Sequence, residues 1–320
     1  MSFMNTMRTG PVVVLAGGTG GSKLARGMLD VVDAEELIVI ANTGDDVEIH
    51  GGYVSPDPDL AAFWLADRID ARGWGLAEDT FNVMDGLREL GEEVWFNLGD
   101  RDLALALARA RALAAGERLT DFHLGTSARI GARARVLVMS DSPVRTRVTA
   151  AGRVWSLQEY LIRARTPENR WPEVDDVQFH GARGAHSTPE VLEAISTARA
   201  IIIGPSNPII SIGPMLAVPE IRAALGATQA PKVAVSPFVG GAILKGPTPE
   251  FMRWRGVEAS SAGIWEIYRG LVDGLVVDAP LPAVVTLVTD LLMDGAAGRT
   301  RLAAETLRFA GALGARSATE

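Results

Sequence analysis

Five carboxylates, Asp45, Asp46, Glu48, Asp57 and Asp59, crowd one short stretch of the chain. Carboxylates held this close repel one another unless a cation or hydrogen-bond donors compensate. A hard divalent ion such as Mg²⁺ suits one or two carboxylates completed by phosphate oxygens of a substrate. Taken singly, Asp59 also reads as a helix N-cap and Asp57 as a turn residue. The cluster as a whole is read as a metal site because a second feature precedes it. Gly17-Gly18-Thr19-Gly20-Gly21-Ser22 follows the apolar run Val12-Val13-Val14-Leu15, and Leu24-Ala25-Arg26-Gly27-Met28-Leu29 resumes at helical spacing. A glycine turn between a buried strand and a helix brings backbone N–H groups and a partial positive charge to an anion. The expected chemistry is therefore phosphate binding beside a metal.

The glycine turn matches neither common nucleotide template. A P-loop places Lys before Ser or Thr, whereas here the order is Gly21-Ser22-Lys23. The dinucleotide fingerprint calls for a third glycine where Lys23 stands. A turn that only packs helix on strand is the competing reading. Gly204-Pro205-Ser206-Asn207-Pro208 repeats the arrangement after Ile201-Ile202-Ile203, with Ser206 and Asn207 as neutral donors and two prolines fixing the backbone. An ordinary turn with an Asn cap is the alternative there. Lys245, four residues past Gly241, could reach a phosphate, although a solvated lysine is the default. Trp74 and Trp95 are candidate stacking platforms, set against the usual packing role of tryptophan. His180 and His186 lack metal-ligand spacing and read as loop residues.

These residues need a scaffold, and the pattern supplies one. Apolar runs at Val12–Ala16, Leu37–Ala41, Val136–Met139, Ala200–Ile203, Lys232–Val235, Leu275–Val277 and Val284–Asp290 alternate with helical segments. That alternation predicts an α/β fold, a Rossmann-like doubly wound and mostly parallel sheet. Loops at the carboxyl ends of such strands are where ligands bind. Residues 60–134 read as mostly helical, an inserted helical subdomain in a single domain spanning 11–320, with 1–10 a disordered tail. Thr146–Thr149 and Arg153–Trp155 read as a hairpin. The charged segment from Glu159 to Arg183 reads as a peripheral connection, the residues after Asp46 as a loop, and the tail from about Arg299 as a closing helix.

Composition bounds the partners. With 320 residues the chain can bury a large core. A net charge of −8 argues against non-specific nucleic-acid binding. No cysteine is present, which excludes disulfides, thiolate metal sites and a cysteine nucleophile. Neither a signal peptide nor a long apolar span is evident, so no membrane partner and a cytoplasmic location are expected.

Six motifs in order resemble the CofD/FbiA transferases: Leu15–Gly21; Asn42-Thr43-Gly44-Asp45-Asp46 with Ile49-His50-Gly51; Ser55–Asp59; Gly73-Trp74-Gly75; Leu98–Ala104, which includes Asp100 and Arg101; and Gly204–Gly213, which includes Ser211. The resemblance runs from about residue 12 to about residue 290. It implies a Mg²⁺-dependent 2-phospho-L-lactate transferase of coenzyme F-420 biosynthesis. The donor would be a guanosine diphosphate ester of 2-phospholactate or phosphoenolpyruvate, and the acceptor the ribityl hydroxyl of the deazaflavin Fo. GMP and F-420-0, or its dehydro form, would be the products, and the enzyme a homodimer. An alcohol attacking a diphosphate needs alignment and charge stabilisation but no protein nucleophile. The implied metal ligands are Asp45 with Asp57 or Asp59. Asp45 and His50 would be catalytic. Gly17, Gly18, Thr19, Gly20, Gly21, Ser22, Asn42, Asp46, Trp74, Asp100, Arg101, Ser206, Asn207 and Ser211 would hold substrates.

Two other classes compete. The related gluconeogenesis-factor family shares a glycine-rich start and binds nucleotide sugars as a regulator, but the acidic loops and Gly73-Trp74-Gly75 match the transferases better. A nicotinamide-dependent dehydrogenase is disfavoured by the missing third glycine.

Overall fold

A computed structural model describes residues 9–168 and 170–317. The expected tail lies almost wholly outside them. In chain order the elements begin with β1 (Val12–Ala16), α1 (Gly18–Met28), β2 (Leu37–Ala41), the hairpin β3 (Val47–Ile49) and β4 (Gly52–Val54), and α2 (Pro56–Leu65). Three more helices follow, α3 (Asn82–Glu89), α4 (Asp100–Ala114) and α5 (Leu119–Ile130), then β5 (Arg135–Val138). Next come β6 (Arg145–Ala150), β7 (Arg153–Ser156), α6 (Leu157–Arg163), β8 (Val174–His180), α7 (Pro189–Thr197) and β9 (Ala200–Ile203). The last part holds α8 (Gly213–Ala217), α9 (Pro219–Ala227), β10 (Lys232–Val235), β11 (Phe238–Val239) and β12 (Ala242–Ile243). It ends with α10 (Thr248–Trp254), α11 (Ser261–Tyr268), β13 (Gly274–Val277), β14 (Thr286–Val288) and α12 (Gly295–Ser317).

Seven strands form one parallel sheet in the order β14-β13-β10-β9-β1-β2-β5. Every residue of β1, β2 and β9 is buried, as expected of strands covered on both faces. Their period-2 alternation divides the core. Val13, Leu15, Ile38 and Ile40 join a cluster with Val191, Ile221 and Ile264 of α7, α9 and α11. Val12, Val14 and Val39 join one with Leu24, Ala61 and Leu302 of α1, α2 and α12. Helices therefore cover both faces, and the doubly wound α/β expectation holds.

From β1 the chain winds outward through β2 to β5, then returns to place β9 on the other side of β1. The strand order reverses between β1 and β9, the switch point at whose carboxyl end open α/β sheets bind ligands. Both glycine-rich turns singled out in the sequence, after Ala16 and after Ile203, lie at this point.

Two antiparallel pieces lie apart from the main sheet. Val47–Ile49 and Gly52–Val54 pair around His50-Gly51, both with positive φ (51° and 76°), the geometry of a type I′ turn. The stretch read as a loop is therefore a hairpin. Strands of three residues are too short for alternation to show. The second piece is β7-β6-β8. The hairpin expected at 146–155 forms, but the segment from Glu159 to Arg183 is no mere connection, because β8 within it pairs along β6. The Ser156 side chain accepts from the Glu159 N–H and Glu159 reciprocates, a capping box that starts α6. Ser156-x-x-Glu159 was the signal that could have revealed it.

Within 60–134, α2 lies against α1 and β5, and α5 against β5, so both belong to the sheet's covering layer. Residues between them stand further out, where Met84, Leu98, Leu103 and Ala106 make a small core with Val54. Among the described residues no helix is long and apolar enough to cross a membrane.

Candidate active site

Asn42 lies fully buried just past β2, between two acidic side chains. Its side-chain nitrogen lies 3.0 Å from Oδ2 of Asp57 and 3.4 Å from Oδ1 of Asp45, while its oxygen accepts the Gly44 N–H at 2.8 Å. One amide thus serves two carboxylates. Gln158 of α6 donates to the other oxygen of Asp45 at 3.0 Å. The other oxygen of Asp57 accepts the Gly18 N–H at 2.6 Å. The carboxylate pair is therefore tied directly to the glycine turn.

Burial raises the pKa of Asp45 well above the usual carboxylate range, and the charges of Asp57 and Asp46 add to it. Burial likewise pushes Asp57 up to about 6, against the pull of the Asn42 and Gly18 donors. Two buried carboxylates with only neutral donors as partners resist ionising together, and a cation between them would restore their charged forms. Oxygen-only donors at such a point suit a hard cation. Among the described residues no three His, Asp or Glu side chains converge, so the protein offers a pair and substrate oxygens and water would complete the shell.

Asp59 is placed elsewhere. On α2, residues two apart point in different directions. Asp59 pairs with the fully buried Arg109, and His123 Nδ1 lies 3.9 Å away. Arg109 also donates to the Tyr53 carbonyl at 2.9 Å. The structure brings Asp57, not Asp59, to Asp45. Asp46 accepts from Ser55 at 2.8 Å and Tyr53 at 2.9 Å, and burial moves it to about 7 despite the nearby Arg145. Gln158, Tyr53, Arg109 and Arg145 carry no sequence signal of this kind, whereas Ser55 lay within a motif already singled out.

The glycine turn closes against the second turn. Gly17 N–H donates to Ser206 Oγ at 3.3 Å. A Cβ at Gly17 would sit 2.5 Å from the Ser211 Cβ, and one at Gly20 only 2.0 Å from the Pro205 carbonyl oxygen. These glycines exist for close approach. At Gly18, φ is +66° and a Cβ would meet nothing within 4 Å, so that position faces open space. Thr19 is partly exposed beside it, whereas Ser22 is buried and donates to the Gly18 carbonyl at 3.0 Å. Ser22 thus holds the turn itself. Asn207 spends its oxygen on the N–H groups of Ile209 and Ile210 and donates to Thr248, so it shapes the turn.

The remaining candidates are more distant in role. His50, at the tip of the β3–β4 hairpin, bonds the Phe96 carbonyl at 3.1 Å and helps line an open hollow of about 420 Å³ with Tyr53, Ala110 and Leu113. Asp45 and Asp46 instead line a pocket with Arg145 and Gln158. Asp100 accepts from Thr80, Asn82 and Val83 at the start of α3, while Asp79 accepts the Arg101 and Asp102 N–H groups at the start of α4. Each carboxylate caps the other's helix. Trp74 is 53% exposed with Lys245 Nζ 4.8 Å from its ring centroid.

A model of the 2-phospho-L-lactate transferase CofD family matches residues 12–287. The chain belongs to this family. A 2-phospho-L-lactate transferase of Methanosarcina mazei is 38% identical over 268 residues, covering 83% of this chain and 86% of the relative. One from Methanocaldococcus jannaschii is 36% identical, covering 94% and 99%. A phosphoenolpyruvate transferase of Kitasatospora aureofaciens is 37% identical, covering 93% and 98%. Among solved structures, a Bacillus halodurans protein of the UPF0052 family superposes with a TM-score of 0.59 at 17% identity, covering 93% of this chain and all of that one. That likeness shows the fold alone. Membership of the CofD family makes the chain a transferase.

Proposed function

We propose that this CofD-family transferase moves a phospholactyl or phosphoenolpyruvyl group from a guanosine diphosphate ester to the ribityl hydroxyl of Fo. The hydroxyl oxygen bonds to the phosphorus that carries the three-carbon acid. The bridging P–O bond of the diphosphate breaks, GMP leaves, and F-420-0 or its dehydro form results. The observation that carries this reading is the Asp45–Asn42–Asp57 arrangement bonded to Gly18, beside the switch point between β1 and β9. It joins a cation-seeking carboxylate pair to a phosphate-binding turn.

Asp45 and Asp57 would hold Mg²⁺, which when bound neutralises charge on the diphosphate. The N–H groups in the first turn of α1 and the surface at Gly18 and Thr19 receive phosphate oxygens. Asp46, held near neutrality and oriented by Ser55 and Tyr53, accepts the hydroxyl proton at a carboxylate oxygen. The Pro205–Ser211 turn fixes the position of the glycine turn by its contacts with Gly17 and Gly20. A cytoplasmic homodimer is part of this reading.

The test incubates purified protein with Fo, Mg²⁺ and each guanylated donor in turn, with products followed by mass. F-420-0 or its dehydro form should appear, and Asp45→Ala and Asp57→Asn should each abolish it. No product with any donor, together with tight binding of a UDP-sugar, would overturn the transferase reading.

A further inference from the structure

Beside the glycine turn, three cations from α1, α12 and the loop after β12 gather with no acid paired to them. Lys23 of α1 and Arg299 of α12 both approach the ring of Trp64 on α2, at 5.7 and 5.3 Å from its centroid. Lys245, in the loop after β12, stacks on Trp74 and donates to the Arg72 carbonyl at 3.3 Å. A Cβ at Gly73 would lie 3.7 Å from the Thr19 methyl and 3.9 Å from Lys245 Nζ, which fixes this group at the first turn of α1. Thr19 and Lys23 are four apart and share a helix face.

Among the described residues none of Lys23, Lys245 and Arg299 has a carboxylate within ion-pair distance, although most other buried or half-buried arginines do. Burial lowers the Lys23 pKa, and the nearby charges of Lys245 and Arg299 lower it further. Two buried donors nearby also lack partners, Arg299 Nε and Trp64 Nε1, the latter on a side chain 8% exposed. In a chain of net charge −8, like charges gathered without acids leave an electrostatic cost that an anion would relieve.

We propose that Lys23, Lys245 and Arg299 form an anion subsite at the rim of the glycine turn, which takes phosphate or carboxylate oxygens of the transferase's donor. The identity of the anion rests on the transferase reading, whereas the existence of the site does not. The cations lie beside α1, outside the carboxylate pair that would carry the metal. They supply point charges and cation–π surfaces, a suitable complement to a group of two or more negative charges.

Isothermal titration of the full chain with inorganic pyrophosphate, GMP and phosphoenolpyruvate tests this, at low and moderate salt. The variants are Lys23→Met, Lys245→Met and Arg299→Met, with Lys232→Met, whose lysine pairs with Asp273, as control. At least one anion should bind the wild type, more weakly at higher salt, and each site variant should weaken it about tenfold or more. Weakening confined to phosphoenolpyruvate assigns the subsite to the three-carbon acid, and weakening confined to GMP assigns it to the nucleotide phosphate. Lys245 lies on an exposed loop, so its variant keeps the fold and is decisive if Lys23→Met or Arg299→Met is unstable. Binding unchanged in Lys245→Met, or no anion bound by wild type, overturns the proposal. The donor assay separates the two readings: transfer without dependence on these cations sinks the subsite alone, and cation-dependent binding without transfer sinks the transferase alone.

Discussion

Asn42 and Asp57, fifteen residues apart in sequence, are joined by a 3.0 Å hydrogen bond, and the same Asn42 nitrogen reaches Asp45. A neutral amide here does what a cation would do more strongly: it keeps two buried carboxylates from facing each other bare. Replacing it with alanine removes the donor and costs about 1–3 kcal/mol per buried group left unpaired. A divalent ion bound to both carboxylates would recover part of that loss. Asn42→Ala should therefore lower the melting temperature more in EDTA than in millimolar Mg²⁺, as read by thermal unfolding. Equal losses in both buffers would show that Asp45 and Asp57 do not share a metal.

The glycines of the turn divide by what a methyl group would meet. At Gly21 a Cβ would sit 2.7 Å from Ser206 Oγ and 2.9 Å from the Ala16 Cα, with backbone on one side that cannot give way. Gly21→Ala should destabilise by about 1–3 kcal/mol or more through overpacking between β1 and β9. Gly18→Ala meets open space and bears only the left-handed backbone penalty, about 1–2 kcal/mol. Its methyl projects where phosphate is expected, so KM for the donor should rise while the protein stays folded. Donor kinetics and melting curves on both variants check the contrast.

The parallel sheet was legible because its strands are continuous apolar runs, and the turns at the switch point because glycine and proline mark them. Asp45 and Asp57 stood out as members of a cluster, but sequence alone could not divide that cluster. The helical phase of α2 sends Asp59 to Arg109, and Arg109, on an Ala-rich helix, carries no local mark of burial. Gln158 was hidden for another reason. Its partner Asp45 lies 113 residues away, and only the folding of α6 under the β6–β7 hairpin brings them together. Strands as short as β3, three residues long, carry too few positions for a periodic signal.

Asp100 distinguishes a family motif from a substrate contact. Four donors on Thr80, Asn82 and Val83 converge on its carboxylate and hold it down at about 2, the Thr80 hydroxyl foremost. Asp100→Ala should lower the melting temperature by a few degrees through loss of the α3 cap. Transfer measured at a temperature where the variant is folded should keep a kcat near that of wild type, whereas Asp45→Asn should lose transfer without losing stability. A collapse of kcat in folded Asp100→Ala would instead place that carboxylate on a substrate.

His123 gives the fold an acid-sensitive element. It is 1% exposed, Ser127 Oγ lies 3.2 Å from its Nε2, and its Nδ1 lies 3.9 Å from Asp59, which pairs with Arg109. Burial, reinforced by the Arg109 charge, lowers its pKa from 6.5 to about 3. The unfolded chain therefore binds a proton at this residue between those values and the folded chain does not. Stability from this group is complete above pH 6.5 and is lost as pH falls toward 3. Asp59, whose own pKa burial raises, works in the opposite sense by taking up a proton on the folded side. His123→Gln keeps a polar group of similar size near Ser127 and removes the titration. Urea unfolding at a series of pH values should show a shallower loss of stability for the variant between pH 6.5 and 4. Parallel curves for the two proteins would mean that His123 is protonated in the folded state and that Asp59 compensates it.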